Sequence, residues 1–217
     1  MTIQNQGHEH EFEPQYGLPE RLPSDERILW QGAPDAKALA VSAFHMRKLA
    51  IYFSLLTLVC AWPALESGAG PWAVLLAIKW IVPLAVVAMG SVWLLALMTA
   101  KTTVYTLTNK RVVLRFGVAL PKCVNVPLSL VGKADVKPAG TGMVDVSLTP
   151  TVRFPLAYLQ MWPHVRPWKF GSPQPMLRSV PENFVPQLAD ALAKADPDRV
   201  AANTDAAPAP AMVGAAA

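Results

Sequence analysis

Charged residues are scarce in this chain, and two long stretches of it contain no acidic residue. Aspartate, glutamate, lysine and arginine make up 16% of the 217 residues, whereas hydrophobic residues make up 53%. Residues 49–65 and 72–100 are apolar runs that lack acidic side chains, and only residues 66–71 separate them. Such runs are typical of transmembrane helices, and a short connection favours an antiparallel pair. The sequence therefore predicts a membrane hairpin.

The two apolar runs differ in length. At about 1.5 Å per residue, a helix over the first run would be about 26 Å long and a helix over the second about 43 Å long, against a hydrocarbon core of about 30 Å. The second helix must therefore tilt, kink or project beyond the lipid. We expect a kink at Pro83, because proline interrupts helical hydrogen bonding.

Cations flank the outer ends of the hairpin and are missing from its connecting loop. Arg47 and Lys48 precede the first run, Lys101 follows the second, and Lys110 and Arg111 come soon after. By the positive-inside rule, both termini should be cytoplasmic. The first forty residues are polar and contain no early basic region followed by an apolar run, so we expect no cleaved signal peptide.

Motifs of the common enzyme classes are also missing. The sequence contains no G-x-S-x-G, no P-loop and no G-x-G-x-x-G. Cys60 and Cys123 lack metal-ligand spacing and should be free thiols. The net charge of +4 is modest, and the sequence contains no block of basic residues. Both observations argue against a nucleic-acid partner. We therefore expect a protein that is not an enzyme and holds no metal.

Short segments rich in β-branched and aromatic residues follow the hairpin. Residues 103–108 and 111–116 predict two strands joined by a turn at Asn109 and Lys110. Further strands are expected at residues 123–130, 134–137 and 143–148, and Gly140-Thr141-Gly142 would form the turn between the last two. Because the strands follow one another directly, the sequence predicts an antiparallel meander.

The remaining segments complete the predicted domain organisation. Residues 1–44 form a cytoplasmic N-terminal segment, of which residues 24–32 should be ordered, and residues 45–100 form the hairpin. Residues 101–196 form a cytoplasmic β domain whose last helix begins at a capping box, Ser179 to Glu182, and continues to Ala195. Residues 197–217 are rich in alanine and proline and should be disordered.

Several motifs together resemble a known family. The run Tyr105 to Val113 after a membrane hairpin and the upstream segment 26–32 resemble membrane-anchored bacterial pleckstrin-homology (PH) domains. More specifically, residues 13–19 (EPQYGLP) and 162–168 (WPHVRPW) are similar to the PuhB family, whose members assist assembly of the photosynthetic reaction centre in purple bacteria. The resemblance extends over about residues 11–195.

This resemblance implies both a fold and a function. The expected fold is a membrane α+β protein, with a two-helix transmembrane hairpin and a cytoplasmic PH-like antiparallel β domain closed by a C-terminal amphipathic helix. The implied function is a non-catalytic assembly factor that binds nascent reaction-centre and light-harvesting 1 subunits in the bacterial inner, or intracytoplasmic, membrane. Membrane lipids and a second copy of the chain are further expected partners. Ala73 with Ala77, and Ala96 with Ala100, would permit close helix approach.

The segment 162–168 is the expected partner-binding site. Tryptophan and arginine are enriched at interaction hot spots, and proline restricts the backbone. The alternative is a packed loop that covers one end of the β domain or rests in the membrane interface. An imidazole could also ligate the magnesium of a bacteriochlorophyll. The candidate residues are Trp162, Pro163, His164, Arg166 and Trp168.

Lys79 is the sole charge within either apolar run, and an ionisable residue inside a membrane is a candidate functional group. It lies about 10 Å along the helix from Trp72. Its amine could therefore snorkel to the interface, or it could pair with a carboxylate of a partner or with a lipid phosphate.

The alternative function is a membrane-anchored PH-like module that binds anionic lipid or peptide. Basic side chains near an anionic surface contribute about 1 kcal/mol each to membrane attraction. The residues that would form this headgroup-binding patch are Lys110, Arg111, Lys122, Lys133 and Lys137.

Overall fold

The computed structural model describes residues 16–152 and 157–196. Residues 13–15 of the N-terminal motif, residues 153–156 and the predicted disordered tail 197–217 lie outside this range. This described part contains six α-helices and seven strands. A first strand and a short helix precede the apolar hairpin, and the remaining strands and two helices follow it.

The hairpin consists of three helices. These are α2 (Met46–Glu66), α3 (Gly70–Ile78) and α4 (Ile81–Thr102), and α2 follows directly on a short helix α1 (Ala36–Ser42). Helices α2 and α4 are long and apolar enough to cross a membrane. With 21 and 22 residues they are each about 32 Å long, close to the thickness of the hydrocarbon core.

The second apolar run is interrupted close to Pro83, where a kink was expected, and it forms two helices instead of one kinked helix. The helix breaks at Lys79 and Trp80, and Pro83 lies in the first turn of α4. A proline ring clashes with the carbonyl four residues earlier, which here belongs to Lys79, so α3 ends there. The first turn of a helix tolerates proline because its N–H groups have no intrahelical partner.

A four-stranded antiparallel sheet follows the hairpin. Its strands are β1 (Ile28–Gly32), β2 (Val104–Thr108), β3 (Arg111–Phe116) and β4 (Lys122–Pro127), in that order across the sheet. The predicted β2–β3 hairpin is confirmed, with Tyr105 opposite Leu114. Strand β1 pairs with β2 across the whole hairpin sequence. The N-terminal segment therefore contributes a strand to the β domain and is not separate from it.

A second antiparallel sheet contains three strands, β5 (Val131–Gly140), β6 (Met143–Pro150) and β7 (Met176–Pro181). A single 3-10 turn at Leu128–Leu130 links it to the first sheet. The sequence predicted β5 and β6, and the turn at Gly142, where φ is +68°, is confirmed. A short helix α5 (Tyr158–Met161) lies between β6 and β7.

The predicted capping box was wrong. Ser179 is a fully buried residue of β7, and its backbone N–H donates to Asp145 Oδ1 at 2.8 Å. The final helix, α6 (Phe184–Ala195), begins only after Asn183. The local pattern of serine followed by glutamate is compatible with a helix start, but pairing of Val180 with Val144 extends the strand through it.

The core lies between the two sheets and beneath α6. Its fully buried side chains include Tyr105, Leu107, Leu148 and Leu177, together with Phe184 of α6. The Phe184 ring centroid lies 4.4 Å from that of Trp30 on β1, so the last helix packs against the first strand. The amphipathic closing helix that the sequence predicted is thus confirmed.

The first sheet has two distinct ends. Strand β2 begins directly after α4, and Val104 pairs with Arg115 near the end of β3. The β3–β4 loop, residues 117–121, therefore lies at the end of the sheet nearest the hairpin, which we term the helix-proximal end. The turn at Asn109 and Lys110 lies at the opposite, distal end.

Candidate functional site

The segment 162–168 lies where the chain enters and leaves the hairpin. The Trp162 ring meets the Phe44 ring edge to face, with centroids 5.6 Å apart, and Phe44 lies two residues before α2. His164 contacts Thr103, the residue that directly follows α4. The segment therefore connects both ends of the hairpin with the β domain.

His164 is buried, with only 1% of its surface exposed. Its Nδ1 lies 2.7 Å from the hydroxyl oxygen of Tyr105, and its Nε2 lies 3.3 Å from Thr103 Oγ1. The backbone N–H of Arg178 donates to the same Tyr105 oxygen at 3.1 Å. Because this oxygen already accepts the Arg178 N–H, we assign the tyrosine proton to the bond with Nδ1 and the imidazole proton to Nε2, which then donates to Thr103 Oγ1.

Burial controls the charge of this group. Desolvation lowers the pKa of His164 to about 3, and the nearby positive charge of Arg178 acts in the same direction. Burial also raises the pKa of Tyr105. His164 is thus neutral, and both of its ring nitrogens are engaged, so in this conformation neither nitrogen is free to ligate a pigment. The His164 side chain thus connects the segment 162–168 with Tyr105 of β2 and with Thr103 after α4.

Arg178 of β7 holds the same segment from the other side. Its Nε donates to the Pro163 carbonyl at 3.1 Å and its Nη2 to the Val165 carbonyl at 3.2 Å. Its Nη1 donates to Asp145 Oδ2 at 2.9 Å, and both side chains are buried. Charge-assisted bonds of this kind are strong and directional. Pro163 and Val165 therefore belong to the packed part of the segment.

The two ends of the segment are more exposed to solvent than its centre. Trp168 is 84% exposed and Trp162 is 49% exposed. Leu159 and Phe170 are also exposed, and the Phe170 ring stacks against Tyr158 with centroids 4.5 Å apart. We call residues 158–170 the aromatic segment. Its buried centre fits the packed-loop alternative, whereas its exposed ends offer rigid apolar surface of the kind found in interfaces.

Arg166 has intramolecular partners. Its Nη1 donates to Asp135 Oδ2 at 2.7 Å and to Gln174 Oε1 at 3.2 Å. Together with Lys133, this arginine lowers the pKa of Asp135, mainly through hydrogen bonds to the carboxylate. The guanidinium therefore orients the aromatic segment against β5.

The β3–β4 loop adds apolar surface that the sequence did not predict. Leu120 is 75% exposed, Val118 is also exposed, and both lie at the helix-proximal end. Phe116, which precedes the loop, packs against His164 with ring centroids 4.9 Å apart. The sequence offered one signal for this surface, a run of valine, alanine, leucine and proline at residues 118–121. Only the register of the sheet shows that this run lies at the helix-proximal end.

Lys79 lies between two helices and not within a span. It is the C-cap residue of α3, its side chain is exposed, and its Nζ lies 5.7 Å from the centre of the Trp80 ring. Since α4 begins at Ile81, the lysine lies at the end of the hairpin away from the β domain. Lys79 therefore lies outside both helices that are long and apolar enough to cross a membrane.

The five cations proposed as one headgroup patch are dispersed. Lys110 and Arg111 lie at the distal end and form ion pairs with Asp25 and Glu26, and Lys110 lowers the pKa of Asp25. Lys122, by contrast, pairs with Phe116 at the helix-proximal end. The remaining two residues lie on β5, where Lys133 forms an ion pair with Asp135 and Lys137 lines a cavity.

The hairpin and most of the strands lie in a part of the chain that matches a known family. A family model described as a bacterial PH domain matches residues 44–181, which include the hairpin and all strands from β2 to β7. The chain belongs to the bacterial PH domain family. In this PH domain, the two apolar helices lie between β1 and the strands β2 to β7.

A relative of this PH-domain protein occurs in Rhodobacter capsulatus. It is described as "Uncharacterized 23.7 kDa protein in puhA 5′region", and the two sequences are 36% identical over 180 residues. The alignment covers 81% of this chain and 82% of the relative. No solved structure matches the chain. The similarity to the relative thus covers a larger share of the chain than the family model matches.

Proposed function

We propose that this PH-domain protein is a non-catalytic assembly factor for the photosynthetic reaction centre and the light-harvesting 1 complex. The observation that carries the proposal is the relative in Rhodobacter capsulatus, which is described as lying in the 5′ region of puhA. The shared puh designation connects that relative with the PuhB-like motifs at residues 13–19 and 162–168. Similarity over about four-fifths of both chains supports a common role.

The exposed faces of the hairpin support a membrane location. Only 6% of the apolar window of α2 and of α4 is buried within the chain. Exposed apolar surface of this extent requires lipid or the helices of another protein around it. We place α2 and α4 across the bacterial inner, intracytoplasmic membrane, as a multi-pass protein with both termini and the β domain on the cytoplasmic side.

In this placement, two apolar surfaces face the cytoplasmic ends of newly inserted helices. Trp162 of the aromatic segment and the β3–β4 loop both belong to the part of the β domain that adjoins α2 and α4. A partner helix could therefore contact the hairpin laterally and the aromatic segment at its cytoplasmic end. Such an assembly role needs contact surfaces and no reactive centre.

Some of the helix surface is already used within the chain. Ala96 and Ala100 of α4 are buried, and α1 packs on α4. Close approach at these two small residues is therefore already used within the chain. Ala73 and Ala77 lie on the separate helix α3, where Ala77 is exposed. We propose that contacts with a partner or a second copy involve the outer faces of α2 and α3.

Co-purification tests the proposed function. The tagged full chain would be purified from its native membrane in mild detergent, and co-purifying polypeptides would be identified by mass spectrometry. We expect reaction-centre and light-harvesting 1 subunits below mature stoichiometry. An absorption spectrum would reveal bound bacteriochlorophyll, and the apparent mass would reveal a dimer. A preparation that carries no photosynthetic polypeptide would contradict the assembly role.

A variant pair would test the contact surface in the same experiment. The double substitution W168A/F170A removes two exposed aromatic side chains. In the described part of the chain, neither side chain is hydrogen-bonded to the core. The control L29A/V152A removes two exposed apolar side chains elsewhere on the β domain. We expect the first variant to lose about tenfold in partner yield and the control to retain it. Equal yields would exclude the aromatic segment as the contact site.

A further inference from the structure

A cavity with several charged side chains in its wall lies between the start of α2 and the second sheet. Its volume is about 610 Å³, within the range of ligand-binding pockets. The end of α1, the first turn of α2 and strands β5, β6 and β7 all contribute to its wall. The polar and charged residues that matter for its chemistry are Ser42, His45, Arg47, Lys137, Arg166 and Arg178.

The cavity wall carries an excess of positive charge. Four permanent cations line it, against the two carboxylates of Asp135 and Asp145. Arg166 donates to Asp135 at 2.7 Å and Arg178 to Asp145 at 2.9 Å, so these two pairs are neutral overall. Asp135 also pairs with Lys133 at 2.7 Å. No carboxylate therefore remains in the wall to balance a further cation.

Arg47 and Lys137 are the uncompensated cations. Neither forms an ion pair with a carboxylate within residues 16–152 and 157–196, and both side chains are exposed at the rim. Arg47 belongs to the first turn of α2, and Lys137 belongs to β5. Helix α2 and strand β5, which are distant in the sequence, thus each place one of these cations at the same cavity.

The behaviour of His45 agrees with the sign of the local field. Partial burial lowers the pKa of this imidazole, and the positive charges of Lys48, Arg178 and Lys137 lower it further. Every charged residue that shifts this pKa is a cation. A bound anion would remove this repulsion.

The cavity lies at the membrane side of the β domain. His45 and Arg47 flank the first residue of α2, which is one of the two candidate spans. In the placement of the proposed function, the start of α2 lies at the cytoplasmic surface, where phospholipid phosphates are concentrated. Cations at this level attract anionic lipids.

We propose that this cavity binds the phosphate of an anionic phospholipid headgroup from the cytoplasmic leaflet, with Arg47 and Lys137 as its contacting cations. The inference rests on the membrane placement of the proposed function and not on the assembly role. Arg166 and Arg178 shape the wall and are held by their carboxylates. The site differs from the dispersed cations at the distal end, because those carry their own anionic partners.

Lipid titration of the intact protein tests this site. The full chain in mild detergent would be titrated with phosphatidylglycerol, and separately with phosphatidylcholine, and bound lipid would be counted by native mass spectrometry. We expect preferential retention of phosphatidylglycerol. In R47Q/K137Q, its apparent Kd should rise about thirty-fold, since each surface cation contributes about fivefold to attraction of an anionic lipid.

A matched variant separates the cavity from net charge. K110Q/K194Q also removes two cations, but from the distal turn and from the exposed face of α6. It should change the apparent Kd less than twofold. Equal weakening by both double variants would overturn the site in favour of diffuse attraction. Thermal unfolding of each variant checks that these exposed substitutions preserve the fold.

Two further outcomes distinguish the ligand and the underlying placement. If glycerol phosphate binds as tightly as phosphatidylglycerol, the cavity is a site for a soluble phosphate and the lipid assignment is wrong. In a liposome flotation assay, a wild-type chain that floats without preferring the anionic lipid overturns the headgroup site and leaves the membrane placement intact. A chain that fails to float overturns the placement as well.

Discussion

The hydroxyl oxygen of Tyr105 lies 2.7 Å from Nδ1 of His164, and this bond joins the start of β2 to the aromatic segment. Because Tyr105 is the second residue of β2 and Thr103 bonds the other nitrogen of the same imidazole, His164 links the end of α4 to the β domain. A partner helix that displaces α4 would therefore also displace the aromatic segment.

Removal of this link should destabilise the protein. The substitution H164A leaves the buried hydroxyl groups of Tyr105 and Thr103 without their partner and opens a cavity, at a cost of about 2–4 kcal/mol. Chemical unfolding of the full chain in detergent would measure the loss. W168A, at an exposed position of the same segment, should change the unfolding midpoint little. Similar losses in both variants would contradict the structural role of His164.

Stability should also fall on acidification. The folded pKa of His164, about 3, lies below its ordinary value of 6.5, so the unfolded chain binds the proton more readily. Stability from this group is therefore fully present above pH 6.5 and decreases by about 1.4 kcal/mol per pH unit as the pH falls toward 3.

The pH range from 6.5 to 4.5 isolates this effect, because the depressed pKa values of Asp25 and Asp135 act at lower pH. Unfolding free energies measured across this range should show a steeper slope for the wild type than for H164Q. Partial burial of His45 contributes to both proteins alike. Identical slopes would show that His164 is accessible to protons in the folded state.

The buried ion pair between Arg178 and Asp145 should be sensitive to the loss of one partner. D145N leaves the guanidinium charge of Arg178 buried without its anion and weakens the bond to the Ser179 N–H, at a cost of about 3–5 kcal/mol. The exposed pair of Lys133 and Asp135 provides the control, since K133Q should leave the unfolding midpoint unchanged. Comparable midpoints for D145N and K133Q would contradict this account.

The β3–β4 loop should lie at the membrane surface. A spin label at L120C, in a C60S/C123S background, should report contact with lipid-soluble relaxation agents in liposomes. The same label at N109C, in the distal turn, should report only the aqueous reagent. This difference follows from the register that places the two positions at opposite ends of the first sheet. Equal aqueous accessibility would contradict the proposed orientation of the β domain.

Local sequence patterns predicted much of the fold because they depend on neighbouring residues alone. The apolar runs identified the hairpin, and β-branched residues around Asn109 and Lys110 identified the β2–β3 hairpin. Where tertiary contacts compete with a local signal, prediction failed. Ser179 has the residue pattern of a helix cap, but pairing with β6 places it in a strand.

The candidate site was predictable in its location along the chain and not in the roles of its residues. Residues 162–168 combine two tryptophans with a histidine and an arginine, which is sufficient to select the segment. Only the structure shows that His164 is buried while Trp168 is 84% exposed. Likewise, Arg47 and Lys137 have no carboxylate partner among residues 16–152 and 157–196 because of where the fold places these residues, and no local pattern contains that information.

The sequence by itself determined the two apolar helices, the alternation of short strands and the closing amphipathic helix, because periodicity and propensity act over a few residues. The tertiary structure decided that β1 joins the sheet, that His164 bridges α4 and β2, and that cations from α2 and β5 share one cavity. These relationships join residues that are far apart in the chain. They arise because burial and electrostatic interactions depend on distance in space and not on separation along the sequence.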